Sequence, residues 1–319
     1  MVLVSFVVAV RNEADRIRAC LDSILSQTYK DFEVVVVDGG STDGTVEIVK
    51  QYVRGNPSKV RLLFDPGLGP GYARNLGAEA ARGKVLAFID GDDEINSEYL
   101  ERTVRHFADP KVAGIFVQMI FRSRPRLWGR VQDTWKWMRW SRKFGRFPSI
   151  LLKDVFWSVG GYNANLFVGE DYDLYIRIKH YIEQRNLKFE FEERAIIYVA
   201  SEDEPKKIFN HGVWFGKGLL RLVKDYPRYG VPVLLWSIFN TMFPASIILP
   251  AILGFWTLQV LALIYLLFYS TVWLSLFIKS ILKKNRPYPV KYILLAPFLQ
   301  ILVSIGVIIG ATLSLMPQK

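Results

Sequence analysis

Three groups of acidic residues stand where apolar runs end, and their spacing suits chemistry on a charged, metal-bound leaving group. Asp38 closes Val34-Val35-Val36-Val37 and opens Gly39-Gly40-Ser41-Thr42-Asp43-Gly44. Ile89-Asp90-Gly91-Asp92-Asp93 forms the second group and Gly169-Glu170-Asp171 the third. Two carboxylates one residue apart, Asp90 and Asp92, can share a divalent cation and the diphosphate it carries. Hard oxygen ligands with few protein contacts suit Mg²⁺ or Mn²⁺. Such an ion offsets the charge that builds on a departing nucleotide. An Asp-x-Asp pair alone is a common acidic turn; this one follows an apolar run in step with Asp38, which gives it meaning.

Asp38 is placed to accept hydrogen bonds from a base or ribose, and its glycines let the backbone approach a ligand closely. Asp43 is expected to be the N-cap of the next helix. Gly169-Glu170-Asp171 opens a helix whose apolar face holds Leu174, Ile178 and Ile182. A helix N-terminus stabilises a carboxylate, and a general base must stand beside the attacking hydroxyl. Asp171 suits that role, with Glu170 on the acceptor side. Arg74, after Gly69-Pro70-Gly71, is placed for a phosphate contact at a helix start. His211, within Asn210-His211-Gly212-Val213-Trp214-Phe215-Gly216-Lys217-Gly218, is either a further metal ligand or part of an interfacial segment anchored by Trp214; Lys217 is a candidate to hold the diphosphate. His106 and His180 show no evident partner. Cys20, the single cysteine, excludes an internal disulfide and a cysteine-based zinc site and is expected to be packed in a helix.

The elements that position these residues are an alternation of strands and helices. Val4 to Val10, Glu33 to Val37, Val60 to Phe64, Lys84 to Ile89 and Val112 to Val117 read as strands. Ile17, Leu21, Ile24 and Leu25 share one helical face, as do Leu100, Val104 and Phe107. This rhythm predicts an α/β fold with a mostly parallel sheet covered by helices on both faces. Ligands bind such sheets beyond the carboxyl ends of the strands, where Arg11-Asn12-Glu13, Asp38 and Asp90-Gly91-Asp92 all fall. The opening Met1 to Val10 runs straight into Arg11-Asn12-Glu13 and reads as a buried strand, not a signal peptide.

Residues 121–147 mix nine arginines and lysines with Trp128, Trp135, Trp137 and Trp140. This segment is either a membrane-lying helix or acceptor-diphosphate site, or a solvated basic face whose tryptophans pack on the main domain. From Val231 to Ile278 no residue is charged, which is long enough for two crossings of about 20 residues each. Gly254 is the expected hairpin point, and residues 292–316 supply a third span. The basic loop Lys279, Lys283, Lys284, Arg286 and Lys291 belongs in the cytoplasm by the positive-inside rule. Two crossings before it put the N-terminal domain there too. The expected organisation is a cytoplasmic domain over 1–205, an interface segment over 206–230 and a helical membrane domain over 231–319, with spans near 231–253, 255–278 and 292–316. The net charge of +11 points to an anionic membrane surface, because its basic residues lie among tryptophans and beside the apolar tail, and not to nucleic acid.

Together these residues resemble the inverting GT-A glycosyltransferases of family 2, over roughly residues 2 to 200. Val8-Ala9-Val10-Arg11-Asn12-Glu13 is similar to the family's opening nucleotide-binding segment, with Arg11 where an aromatic is often found. Val37-Asp38-Gly39-Gly40-Ser41-Thr42-Asp43-Gly44-Thr45 is close to its second signature. Asp90-Gly91-Asp92 stands at its metal and diphosphate position, and Gly160-Gly161-Tyr162 followed by Gly169-Glu170-Asp171 looks like its acceptor and base region. The resemblance implies a GT-A, Rossmann-like domain in which Ala9, Arg11, Glu13, Asp38, Asp90, Gly91 and Asp92 bind a nucleotide sugar, with Arg74 the further phosphate candidate from its helix-start position. It implies that Asp92, beside Asp90, holds Mg²⁺ or Mn²⁺ and that Asp171 is the base, with Glu170 on the acceptor side; Trp214 and Lys217 are the further acceptor-side candidates, and His211 is a further metal candidate if it is not part of the interfacial segment.

The membrane half looks like that of dolichyl-phosphate mannose synthases or a shortened cellulose-synthase-like protein. The Gln-x-x-Arg-Trp signature of processive synthases is absent. A lipid phosphate acceptor is already an anion and needs no base, so the Glu170-Asp171 pair favours a hydroxyl of a polyprenyl- or dolichyl-linked glycan. By analogy with the mannose synthases the donor is GDP-mannose, with UDP-sugars as the alternative. The competing readings are a polyprenyl-phosphate sugar synthase and a non-catalytic transport or scaffold protein.

Overall fold

The structure, a computed structural model, describes residues 3–123, 126–139, 149–253, 256–282 and 290–315. Side chains are described for all of these except residues 135, 137–139, 229, 244–261, 279–282 and 290. The chain divides into two compact units, Met1–Phe121 with Ser141–Ala200, and Arg122–Trp140 with Ser201–Lys319.

The first unit runs β1 (Val4–Val10), α1 (Ile17–Leu25), β2 (Phe32–Asp38), α2 (Thr45–Gly55), β3 (Val60–Phe64), α3 (Pro70–Ala80) and β4 (Val85–Asp90). A two-residue β5 (Glu94–Ile95), the short α4 (Tyr99–Val104), a 3₁₀ turn and β6 (Val112–Phe121) follow. In the second unit lies α5 (Leu127–Arg139). Back in the first come β7 (Ile150–Leu152), α6 (Lys153–Ser158), α7 (Glu170–Gln184) and β8 (Lys188–Val199). The sheet order is β3-β2-β1-β4-β7-β6-β8-β5. β3, β2, β1 and β4 pair in parallel, β7 lies antiparallel between β4 and β6, and β6 pairs in parallel with β8.

The expected strands are present, and β2 is buried along its whole length because helices cover both faces. One core joins Val4, Phe6, Val8, Ile17, Cys20, Leu21, Ile24, Val34, Val36 and Tyr99. The other face packs Val7, Leu86, Phe88, Phe156, Tyr162, Leu174 and Ile178. α3 reaches β1 closely enough that a Cβ at Gly77 would lie 2.5 Å from Val7 Cγ1. Order β3-β2-β1-β4 places the change of winding direction between β1 and β4, the position at which such sheets take ligands.

The opposite edge of the sheet is held by Glu33. This buried carboxylate accepts from Ser5 Oγ (2.7 Å), Arg61 Nη2 (2.9 Å), and the backbone and side chain of Arg82 (2.6 and 2.8 Å). Burial works against its charge, but these donors outweigh it and hold its pKa below the ordinary value. A depressed carboxylate stabilises the fold above its unfolded pKa, and that stability is lost as pH falls through its folded pKa. Glu33→Ala is therefore expected to lower stability by about 2–3 kcal/mol at neutral pH, from buried donors left unpaired. It should also flatten the acid limb of thermal unfolding measured against pH. An unchanged acid limb would show that Glu33 is not the group titrating.

The second unit is helical: α5, α8 (Pro205–Asp225), α9 (Pro227–Leu253), α10 (Trp256–Leu282) and α11 (Val290–Ser314). Residues 122–140, assigned from sequence to the 1–205 domain, cluster here. Ser123 donates through both N–H and O–H to buried Asp133 on α5 (2.9 and 2.7 Å). Trp128 packs on the cluster of Val131, Ile208, Tyr269, Trp273, Ala296 and Leu299 within this unit. The side chains of Trp135, Trp137 and Trp140, and residues 141–147, lie outside the described residues, as does Gly254.

Helices α8 and α11 touch backbone to backbone. A Cβ at Gly212 would lie 2.6 Å from Val303 O, and one at Gly306 2.6 Å from Phe209 O. Gly216 and Gly310 sit against the carbonyl oxygens of Val307 and Val213 in the same way. Two small-x-x-x-small stripes facing each other are a packing device of membrane helices. Leu235, Leu263, Leu267, Phe268 and Phe298 expose about 60 % of their surface, whereas Asn240, Gln300 and Ser304 are buried. Asn240 donates to Trp236 O (2.7 Å) and Gln300 to Ser304 Oγ (2.9 Å). Among the described residues one helix, Lys291–Ser314, is long and apolar enough to cross a membrane; Gly230–Phe243 and Ala262–Ile278 are shorter apolar stretches.

Candidate active site

The carboxyl edge of the sheet gathers the acidic groups. Asp38 is the register partner of Val10, and Asp90 that of Ala9, so the two acids flank the end of β1. Asp38 is buried. Its Oδ2 accepts the N–H groups of Gly40 and Ser41 (both 3.0 Å), and Gly40 adopts φ +82° to close this turn. Its Oδ1 is buried with no partner, an acceptor suited to a donor on a base or ribose. Asp65, just past β3, donates its N–H to Asp38 O (2.9 Å) and accepts from Gly67 and Leu68 N–H (2.9 and 3.0 Å).

The segment after β1 is stitched to the one after β2. Asn12, at φ +56°, accepts Thr42 N–H (2.8 Å) and donates its N–H to Ser41 Oγ (2.9 Å). Glu13 N–H donates to Thr45 Oγ1 (2.9 Å), while Arg11 is exposed and Ala9 half-buried. Asp43 differs from its expected role as N-cap. Gly44 holds that position at φ +97°, and Asp43 instead accepts Thr45 N–H (3.1 Å) and Ala14 N–H (3.0 Å). The carboxylate thereby bridges two loops, and a left-handed residue intervenes before the helix.

Gly91 admits no side chain, because a Cβ there would lie 2.7 Å from Val10 Cγ2. Asp90 and Asp92 leave this turn with side chains 51 % and 29 % exposed. Arg16 Nη1 stands 3.3 Å from Asp92 Oδ2. Among the described residues no group of three or more His, Cys, Asp or Glu side chains is arranged to enclose a metal. Two accessible carboxylates on one turn fit instead an ion that completes its coordination with substrate diphosphate and water.

Arg74 on α3 joins this turn to the third acidic group. Its buried guanidinium donates through Nη2 to Asp90 Oδ1 (2.7 Å) and through Nη1 to Glu170 Oε1 (3.0 Å), with Asp171 Oδ1 at 3.9 Å. Burial opposes its charge, but Asp90, Asp171, Tyr162 and Glu170 more than offset this and hold its pKa well above the ordinary guanidinium value. Glu170 and Asp171 are the first residues of α7, entered through Gly169 at φ +82°. Burial, reinforced by Asp171, raises Glu170 to about 7 even though Arg74 pulls the other way. Asp171 is the more accessible acid, 38 % against 9 % for the Glu170 side chain.

Trp214, Lys217 and His211 lie on α8 of the second unit, all exposed, with the His211 and Trp214 rings 5.5 Å apart. His106 has a partner after all: Glu192 Oε2 lies 3.0 Å from its Nε2, brought there by β8. His180 pairs with Gln184 one turn on (2.8 Å). Sequence reading missed Arg16, Asp65 and Asn75. Asn75 directly follows Arg74, and Asp65 ends an apolar run as Asp38 does, so both carried a local signal; Arg16 carried none.

A largely parallel sheet with acidic turns on the carboxyl edge, facing an acid-bearing helix N-terminus, defines a GT-A-like α/β domain. Residues 5–167 match the family described as Glycosyl transferase family 2, more than half of the chain, and the protein belongs to that family. It is 44 % identical over 103 residues to the glycosyltransferase AglE of Haloferax volcanii, covering 32 % of this chain and 34 % of AglE. It is 42 % identical over 91 residues to the uncharacterized glycosyltransferase YibD of Escherichia coli, covering 28 % of this chain and 26 % of YibD. The chain thus spans about a quarter to a third of these relatives. Its fold is similar to that of the mannosyltransferase PcManGT from Pyrobaculum calidifontis in complex with GDP-Man and Mn²⁺. That likeness has a TM-score of 0.57 at 19 % identity and covers 95 % of this chain and 86 % of the other.

Proposed function

We propose that the protein transfers a sugar, with inversion, from a nucleotide sugar to a hydroxyl of a lipid-linked glycan at the cytoplasmic face of a membrane. The observation that carries this reading is the Arg74 bridge, which sets Asp90 of the donor edge against the α7 N-terminus bearing Asp171. In this reading Asp171 takes the proton of the acceptor hydroxyl. The hydroxyl oxygen then forms its bond to the anomeric carbon while the bond from that carbon to the diphosphate oxygen breaks on the opposite face. Asp38 and the backbone around Ala9, Arg11 and Glu13 hold the nucleoside. When bound at Asp92 and Asp90, Mg²⁺ or Mn²⁺ supplies counter-charge to the diphosphate.

GDP-mannose is the donor favoured, supported by the fold likeness to a protein that binds GDP-Man and Mn²⁺. A hydroxyl acceptor is favoured because a base-bearing helix has no task when the acceptor is a phosphate anion. Residues 231–319 are read as a multi-pass membrane domain, supported by the apolar outer surfaces of α9, α10 and α11 around self-satisfied polar groups. Residues 1–205, apart from the 122–140 segment that clusters with the helices, and 206–230 are then the cytoplasmic domain and the interface segment.

The test incubates purified full-length protein with a donor panel and lipid-linked glycans. Transfer from GDP-mannose is expected, abolished by EDTA and restored by Mn²⁺. Preference for a UDP-sugar would replace the donor, and labelled sugar appearing directly on polyprenyl phosphate would replace the acceptor. Release from membranes by alkaline carbonate would overturn the multi-pass reading.

A further inference from the structure

Arg74 is followed by Asn75, which holds the same region by different bonds. Asn75 Nδ2 donates to Tyr162 O (2.8 Å), and Asn75 Oδ1 accepts Tyr162 N–H (2.8 Å). One amide therefore pins one backbone residue in both directions. The approach needs the glycines before Tyr162. Gly160 and Gly161 adopt φ +83° and +66°, and a Cβ at Gly161 would lie 2.7 Å from Asn75 Oδ1. Their N–H groups close α6 onto Trp157 O and Phe156 O (2.9 and 3.0 Å). The Tyr162 ring is clasped as well, edge-on to Phe88 and beneath the Arg74 guanidinium, 5.3 Å from its centroid.

The far end of the loop is Glu170, held by Arg74. Consecutive residues of α3 thus fix both ends of the loop from Tyr162 to Gly169, and α7 starts from it. The first turn of α3 fits between the two ends: a Cβ at Gly71 would meet Tyr162 Cβ at 3.4 Å and Glu170 Cβ at 3.7 Å. α3 is itself seated on β1 and β2 through Gly77. The position of Asp171 relative to Asp90 is therefore set by α3, to which each is tied through Arg74, and the loop is kept from drifting by Asn75.

Resting on the transfer reading above, we propose that Asn75 is a positioning residue: by latching the Tyr162 backbone it fixes where the α7 N-terminus, and with it Asp171, stands relative to the donor edge. Displacement of a reacting group by about 1 Å can lower turnover roughly 100-fold without weakening substrate binding. Asn75→Ala is accordingly expected to lower kcat by about 10- to 100-fold, with donor KM and the affinity for nucleoside diphosphate plus Mn²⁺ within about threefold of wild type.

Hydrogen exchange supplies a readout independent of turnover. Peptides spanning 160–175 should exchange faster in Asn75→Ala, while β1, β2 and β4 stay protected. Asn75→Asp keeps an acceptor for Tyr162 N–H but cannot donate to Tyr162 O, so it should fall between wild type and Asn75→Ala in both exchange and kcat. If Asn75→Ala unfolds the sheet, the Asp variant decides. Unchanged exchange over 160–175, or faster exchange with unchanged kcat, would overturn the proposal. Wild-type protein that transfers no sugar would defeat the transfer reading instead, and the exchange comparison would still decide whether the latch exists.

Discussion

Asp171→Asn is expected to lower kcat by roughly 10²- to 10⁴-fold, the range for loss of a positioned general base. Affinity for nucleoside diphosphate with Mn²⁺ should stay within about twofold, since the amide keeps the shape and the Asp38 and Asp90 turns are untouched. The choice of Asp171 over its neighbour is physical. Glu170 is buried and its carboxylate is already bound by Arg74 at 3.0 Å, whereas Asp171 stands 3.9 Å from that guanidinium with over a third of its side chain exposed. An acceptor hydroxyl can reach only the accessible carboxylate. Glu170→Gln, which keeps an oxygen for Arg74, is the control and should be several-fold milder. Steady-state kinetics beside calorimetric nucleotide titrations separate the two variants. Near-normal turnover in Asp171→Asn, or a deeper loss in Glu170→Gln, would move the base assignment off Asp171.

The half of this site built from β1, β2 and β4 was legible in the sequence because parallel strands buried on both faces leave unbroken apolar runs, and the residues that end them stand side by side. Asp38, Asp90 and the segment after Val10 fall together for that reason. The strands beyond β4 were harder to read. Ile150–Leu152 is too short to show a period. β8 carries Glu190, Glu192, Glu193 and Arg194, and its register shifts against β6 between Val117 and Gln118. Its charges are satisfied by pairs such as Arg105 with Glu192 that no local pattern announces. Arg74 had the clearest signal and the least legible partners. A basic residue at a glycine-rich helix start suggests an anion, but not that the anion is a glutamate 96 positions along the chain. The allegiance of α5 was hidden likewise: its tryptophans suggested an interface, and only tertiary packing shows that Trp128 joins the cluster that holds Ile208, Tyr269 and Ala296.

Replacing that arginine is expected to act on stability and turnover together, with a pH dependence of definite sign. One guanidinium faces Asp90, Glu170 and Asp171. In Arg74→Met these carboxylates lose their counter-charge, and breaking a buried ion pair by removing one partner costs about 3–5 kcal/mol. The pH window follows from Glu170, raised by burial and by Asp171 to about 7 in the folded protein. A carboxylate with a raised folded pKa contributes stability below its unfolded value. That stability is lost as pH rises toward the folded value, because the native state holds a proton the unfolded chain has released. Arg74 limits this loss by favouring the ionised form, so its removal should extend the loss to higher pH. Thermal unfolding at about pH 5.5 and about pH 8 should therefore show a wider gap for Arg74→Met than for wild type. Adding Glu170→Gln to Arg74→Met should recover much of the deficit at the higher pH, since one buried charge is gone. Arg74→Lys should sit between, because an ammonium is a single point charge and cannot span two carboxylates as the planar fork does. Equal gaps in wild type and Arg74→Met would mean that the guanidinium does not carry the charge balance of this site. The double variant would then gain nothing, and of the two α3 side chains that hold the Tyr162–Gly169 loop only Asn75 would matter to its position.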